Sequence, residues 1–259
     1  MLTIAISTMM NNYNKTMERL IKVANSFPNI NFLIISQNEN SNSQYKYLEN
    51  LKVIKSDSIG LSRSRNIALD IINKGWLWFQ DDDFEFDESG LKRLTNELSH
   101  CKDDIFLTRI GSLENKEKMY KSYGHYERHS LLNSVKASSI EIIVNTSFIE
   151  QHRISFDIRF GLGTDLPCCE ENKFLLDSFR CKAVVCYSSY VTCYHTTILE
   201  NRNVDYSKNL IAKGFFLNFL PIYISLPLML RWSLKIKTNL SSLSNFKLLC
   251  IGYLKAEKN

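Results

Sequence analysis

The sequence predicts an α/β protein built on a doubly wound, mostly parallel sheet flanked by helices. Two observations carry this: short β-branched runs alternate with helical periodicity through the first 110 residues, and each run ends in a polar cluster. A third is the composition, 44% hydrophobic over 259 residues with only four prolines and nine glycines, which provides a sizeable core and no long flexible linker. These values exclude a disordered tail, a disulfide-stapled miniprotein and a fibre.

Residues 2–6 form the first apolar run, and no basic region precedes it, so it reads as a strand and not as a signal peptide; no export is expected. Residues 16–23 carry helical spacing, residues 31–35 and 51–54 are the second and third runs, a helix spans about 62–73, and residues 76–79 are the next strand. Such sheets bind ligands at the carboxyl ends of their strands. The first candidates are therefore Ser7-Thr8-Met9, Ser36-Gln37-Asn38-Glu39, Ser56-Asp57-Ser58-Ile59-Gly60 and Asp81-Asp82-Asp83. Residues 116–136 are charged and Tyr-rich without period and read as a loop, and residues 140–194 return to strands and one helix.

The C-terminal stretch differs from the rest. Residues 215–230 carry no charge, but Pro221 and Pro227 interrupt them, and they fall short of the ~20 residues of a spanning helix. The favoured reading is an interfacial segment flanked by Lys213, Arg231, Lys235 and Lys237; the competing one is a buried helix pair covering the sheet. Of the formal net charge of +5, the portion from Lys213 onward carries seven basic residues against Glu257 alone. A near-neutral body with a basic, apolar tail points to an anionic lipid surface and away from nucleic acid. Seven cysteines, with no Cys-x-x-Cys pair and no matching histidine spacing, indicate neither a disulfide framework nor a zinc site, and suit a reducing cytosol.

Chemistry concentrates in three segments. In Trp-Leu-Trp-Phe-Gln-Asp-Asp-Asp, residues 76–83, an apolar strand runs into three carboxylates, with Asp81 and Asp83 on one face repelling each other. A divalent Mg²⁺ or Mn²⁺ relieves that repulsion and suits a diphosphate ligand; the plain alternative is an acidic turn before a helix near Asp87. In residues 59–69, Gly60 can make a turn and Ser62 can cap a helix whose first turn would then hold Arg63 and Arg65, where the helix dipole disfavours cations unless an anion sits there. In residues 160–176, a glycine-rich approach delivers Glu170 and Glu171 to a helix start, where one carboxylate can act as general base, although Glu is common in any first turn. His195 ends another strand and is a weaker candidate ligand for phosphate or metal, and the vicinal Cys168 and Cys169 read as packing residues.

In this order the segments resemble the inverting family-2 glycosyltransferases of the GT-A fold, enzymes of bacterial surface polysaccharides, over most of the chain from Leu2 to about His195. Strand one with Ser7-Thr8 is similar to the family's strand-Pro-Thr opening, Gly60 to Asn66 to its Gly-x-x-x-Ala-Arg-Asn helix start, Asp81-Asp82-Asp83 to its Asp-x-Asp site, and Glu170-Glu171 to its Glu-Asp acceptor motif. The resemblance implies donor contacts from Ser7, Thr8, Gln37, Asn38, Arg65, Asp81 and Asp82, a divalent metal, Mn²⁺ or Mg²⁺, on Asp83 with His195 as a weaker ligand, and Glu171 as catalytic base supported by Glu170. It implies transfer from a nucleotide-sugar, with UDP the expected carrier, to a lipid-linked glycan, and the basic, apolar tail would keep the enzyme at the inner face of the cytoplasmic membrane. Ser7 replaces the family's Pro, Glu171 its Asp, and Ser36 to Glu39 its Asp-rich base reader. A sugar nucleotidyltransferase and a catalytically silent scaffold are the rival readings. The expected division is a catalytic domain over 1–205, with a nucleotide half of about 1–110 and an acceptor half of about 135–205, and a membrane-associating tail over 206–259.

Overall fold

The computed structural model describes residues 1–39, 42–124, 136–196, 205–236, 238 and 240–256. The expected loop falls partly outside them, at 125–135, as do Lys237 and the last three residues. The first half alternates strands and helices: β1 (Leu2–Met9), α1 (Tyr13–Ser26), β2 (Ile30–Gln37), β3 (Ser43–Leu48), β4 (Leu51–Ser56), α2 (Leu61–Ile71) and β5 (Trp76–Gln80). There follow β6 (Phe84–Phe86), α3 (Glu88–His100), β7 (Ile105–Ser112), β8 (Ile142–Asn145), α4 (Thr146–His152), α5 (Glu170–Arg180) and β9 (Val185–His195). Three helices close the chain, α6 (Tyr206–Leu217), α7 (Ile222–Lys235) and α8 (Ser242–Ala256).

All nine strands join one sheet in the order β3-β4-β2-β1-β5-β8-β7-β9-β6. The pairings make β1, β2, β4, β5, β7 and β9 run one way, while β3, β8 and β6 run against them. The sheet is therefore mostly parallel, as the alternating pattern implies. From β1 the chain winds outward through β2 to β4, then returns to β5 on the other side of β1, which places the switch point between β1 and β5.

The pleat sorts side chains to two faces. Ile4, Ile6, Phe32 and Ile34 meet Met17 and Leu20 of α1 and Leu91, Leu94 and Leu98 of α3. Ala5, Leu33 and Ile35 meet Ala68 of α2, Ile149 of α4 and Phe174 of α5 on the other face. Buried on both faces, β5 reads as an apolar run, and its indoles are satisfied: Trp76 Nε1 donates to Leu98 O at 3.0 Å and Trp78 Nε1 to Ile140 O at 2.8 Å.

Three features depart from the expectation. β3 is an exposed, polar edge strand whose pattern has no buried face to betray it. The region 140–194 holds two helices, since the short α4 was not separable from its apolar surroundings. Residues 215–230 divide between two environments: Phe215, Phe216 and Leu217 are buried with Phe160, Leu166 and Leu176 from the body of the protein, whereas Ile222, Tyr223, Leu226 and Leu230 are exposed. Gly214 and Gly252 permit the first arrangement, because a Cβ on Gly214 would lie 2.0 Å from Leu249 O, and one on Gly252 would lie 2.0 Å from Ile211 O. The backbones of α6 and α8 therefore touch, and the final helices are packed onto the body.

Candidate active site

The carboxyl ends of β1, β2 and β5 open into a cleft of about 320 Å³. Ser7 and Thr8, Gln37, and Asp81, Asp82 and Asp83 line it from the strand side, with Gly60 at the start of α2 and Leu162 and Gly163 opposite. Gln37 Oε1 accepts from Gly60 N at 2.8 Å, and Ser7 Oγ lies 2.7 Å from Ser64 Oγ, so both polar side chains also hold the entry of α2 against the sheet. Gly60 and Gly163, at φ 131° and 91°, adopt the left-handed region and let the two loops approach. Asn38 is not among the lining residues; its backbone, at φ 61°, donates to Ser58 O at 3.3 Å.

The three aspartates part ways at the end of β5. Asp82 accepts from Thr8 Oγ1 at 2.6 Å and from Asn12 Nδ2 at 3.2 Å, and its carbonyl accepts from Arg19 at 2.6 Å. Asp81 and Asp83 share a cluster with His195, each ligand atom within 4.8 Å of the others. The short strand β6 explains the histidine: it runs antiparallel to β9 with Phe84 opposite His195, so the residue before Phe84 meets the imidazole. His195 Nε2 lies 2.7 Å from Asp83 Oδ1. Burial lowers the His195 pKa, but the hydrogen bond and charge of Asp83 outweigh it, and the net shift is upward. Asp81 is raised chiefly by burial, against the pull of Arg65 and His195. Two carboxylates with an imidazole form a donor set that fits a divalent cation such as Mn²⁺ or Mg²⁺.

Arg65, expected beside the nucleotide, is held between two carboxylates of the protein. Its side chain is 2% exposed and its guanidinium spans two of the protein's own carboxylates, Glu170 Oε1 at 2.9 Å and Asp81 Oδ1 at 3.3 Å. Arg65, the fifth residue of α2, thus ties the acidic end of β5 to the first residue of α5. Asn66 reinforces the joint, donating to Phe156 O and accepting from Phe156 N, each at 2.8 Å.

At the start of α5, Cys169 has a left-handed backbone at φ 78°, and Glu170 and Glu171 occupy the first turn. Glu170 is buried and Glu171 half-buried. Burial pushes the Glu171 carboxyl well above the usual range, and the negative charge of Glu170 adds to the push. Neither glutamate lines the cleft; Glu170 is linked through Arg65 to Asp81, which does. Cys168 and Cys169, with Sγ atoms 3.7 Å apart, seat this turn on α6, where Cys168 Sγ donates to Asn209 O. Sequence reasoning missed Asn12 and Arg19, which brace Asp82 from the turn before α1 and from the middle of that helix; isolated polar residues in such places carry no distinguishing signal.

A cleft at the switch point of a mostly parallel sheet, edged by a metal-competent acidic cluster, lies where doubly wound α/β folds hold their ligands. Residues 4–161 match the model of the glycosyl transferase family 2, and the chain belongs to that family. No curated protein matches it. Among solved structures it is similar to S. aureus TarS 1-349 in complex with UDP-GlcNAc, at 15% identity and a TM-score of 0.65, covering 99% of this chain and 81% of that one. TarS 1-349 in complex with UDP gives 16% and 0.59, covering 100% and 88%. The chain spans 43% of the longer S. aureus TarS structure. At these identities the likeness shows the fold.

Proposed function

We propose that the chain is an inverting, metal-dependent transferase that moves a sugar from a UDP-sugar to a hydroxyl of a lipid-linked glycan in surface polysaccharide synthesis. The observation that carries this is the convergence of Asp81, Asp83 and His195 at the mouth of the cleft formed by Ser7, Thr8, Gln37 and Gly60. The binding of UDP and UDP-GlcNAc by TarS supports the choice of uridine carrier. Asp83 and His195, with Asp81, would hold the cation, which supplies positive charge to the departing diphosphate. Gln37, Ser7 and Thr8 offer polar contacts to the nucleotide.

Glu171 takes the proton of the acceptor hydroxyl as that oxygen attacks the anomeric carbon. The bond from that carbon to the diphosphate breaks on the opposite face, which inverts the configuration. Its raised pKa makes it a stronger base once ionised, and the adjacent charge of Glu170, itself anchored by Arg65, contributes to that rise. Residues 1–205 form the catalytic unit and 206–259 the membrane-facing one. Ile222, Tyr223, Leu226, Leu230 and Leu234 are exposed along α7, with Leu243 and Leu254 on α8, and Arg231, Lys235 and Lys247 are exposed among them. That face suits an anionic bilayer at the cytoplasmic side. No helix among the described residues is long and apolar enough to cross a membrane.

The test is calorimetric titration of the purified protein with UDP, dTDP, GDP and CDP, with and without Mn²⁺. Tight binding of UDP that needs Mn²⁺ and is lost in Asp83→Asn supports the reading. Folded protein that binds none of the four overturns it.

A further inference from the structure

The opposite end of the sheet carries a second cluster of metal-competent side chains. Cys101 follows the last residue of α3, Asp103 lies in the turn leading to β7, and Cys186 is the second residue of β9. One ligand atom from each lies within 4.8 Å of the other two. β7 and β9 run in the same direction as β1, so these residues sit at the amino ends of the strands, away from the nucleotide cleft.

From this geometry we infer that Cys101, Asp103 and Cys186 bind one thiophilic divalent cation of the zinc class, which clamps α3 to the start of β9. Bonds of about 2.3 Å from zinc to sulfur, at the tetrahedral angle, separate two sulfurs by about 3.8 Å. Cys101 Sγ and Cys186 Sγ are 3.7 Å apart, and Cys101 Sγ is 3.9 Å from Asp103 Oδ2. Three protein donors leave the fourth tetrahedral position to water, and all three residues are half-buried, so an ion has a way in. The neighbouring Asp104 is already committed, its Oδ2 accepting from Val184 N at 2.8 Å, which fixes the turn that presents Asp103. Binding displaces one proton from each thiol to solvent and changes no oxidation state. The three ligands come from separate segments, so cysteine spacing along the chain could not reveal them.

The full chain, purified without chelator and freed of any affinity tag, is assayed for zinc by mass spectrometry. The expected result is one zinc per chain, retained in Cys168→Ser and Asp83→Ala and lost in Cys101→Ser and Cys186→Ser. Cobalt substituted into the stripped protein then shows a thiolate-to-cobalt charge-transfer band, which Asp103→Asn weakens and Cys101→Ser largely removes. Should Cys186→Ser fail to fold, Cys101→Ser and the wild-type cobalt spectrum decide the matter. Zinc that persists in Cys101→Ser, zinc that leaves with Asp83→Ala, or a Cys101–Cys186 disulfide detected as a loss of two hydrogens would each overturn the assignment. Because the readout is metal content, failure here leaves the transferase reading standing, and failure of the nucleotide titration leaves this one standing.

Discussion

Replacing Arg65 by Met tests whether the bridge between the two acidic segments is an organising element. The substitution keeps the apolar stem and removes the guanidinium, which stands 2.9 Å from Glu170 Oε1. Glu170 is 7% exposed at its side chain and would be left as a buried charge without its partner. Breaking a buried pair in this way costs about 3–5 kcal/mol. Asp81, 29% exposed and 3.3 Å from Arg65, makes the longer and weaker of the two contacts. For a chain of this size that is a fall in Tm of roughly 6–20 °C. Adding Glu170→Gln to Arg65→Met removes the stranded charge and should recover part of the loss, so the two changes are non-additive by about 1–3 kcal/mol. Urea unfolding of the wild type, both single variants and the double variant measures the cycle. An Arg65→Met variant within about 1 kcal/mol of wild type, or strictly additive effects, would refute the bridge as a stabilising element.

Three further outcomes are expected. Glu171→Gln should bind the donor nucleotide normally and lose transfer; in the wild type, a base with a raised pKa is still protonated where an ordinary carboxylate is ionised, so the acid limb of kcat/KM should lie above 4.5, and Glu170→Gln should move it to lower pH. A limb at the ordinary position that Glu170→Gln does not shift would count against Glu171. Asp83→Ala should abolish Mn²⁺-dependent turnover, and because Mn²⁺ must displace the proton that His195 holds above the usual 6.5, Mn²⁺ affinity should fall as pH drops through that raised value, as followed by metal titration. Leu230→Asp with Leu234→Asp should release the protein from anionic liposomes with Tm unchanged, whereas Phe216→Ala, in the packed interior, should cost about 3–5 kcal/mol; persistent liposome binding by the double variant would remove the proposed surface.

The alternating runs made the centre of the sheet legible, because β1, β2 and β5 are buried on both faces and little competes with their apolar pattern. The acidic cluster at residues 81–83 was legible because three carboxylates after a buried strand are locally costly. What Arg65 does was not, since a cation near a helix start demands an anion without saying whether the anion is ligand or protein. His195 gained its place from β6, three residues whose pairing with β9 no local pattern announces. The hydrophobicity of residues 215–230 was plain, but a run of apolar residues does not say which of them face inward. Gly214 and Gly252 decide that by letting two helices meet backbone to backbone.

That meeting makes the end of the chain a keyed joint. With no side chain between Gly214 and Leu249 O or between Gly252 and Ile211 O, the helices can neither slide nor rotate past one another without collision. The same unit is pinned by Phe216 and Leu217 to Phe160 and Leu166, which flank the glycine loop walling the cleft, and to Cys169, the residue before the two glutamates. Whatever seizes the outward side of α7 therefore grips the frame in which Glu170 and Glu171 are mounted. On the proposed membrane surface, height and tilt would be properties of the fold, set like the stage of an instrument before any substrate arrives.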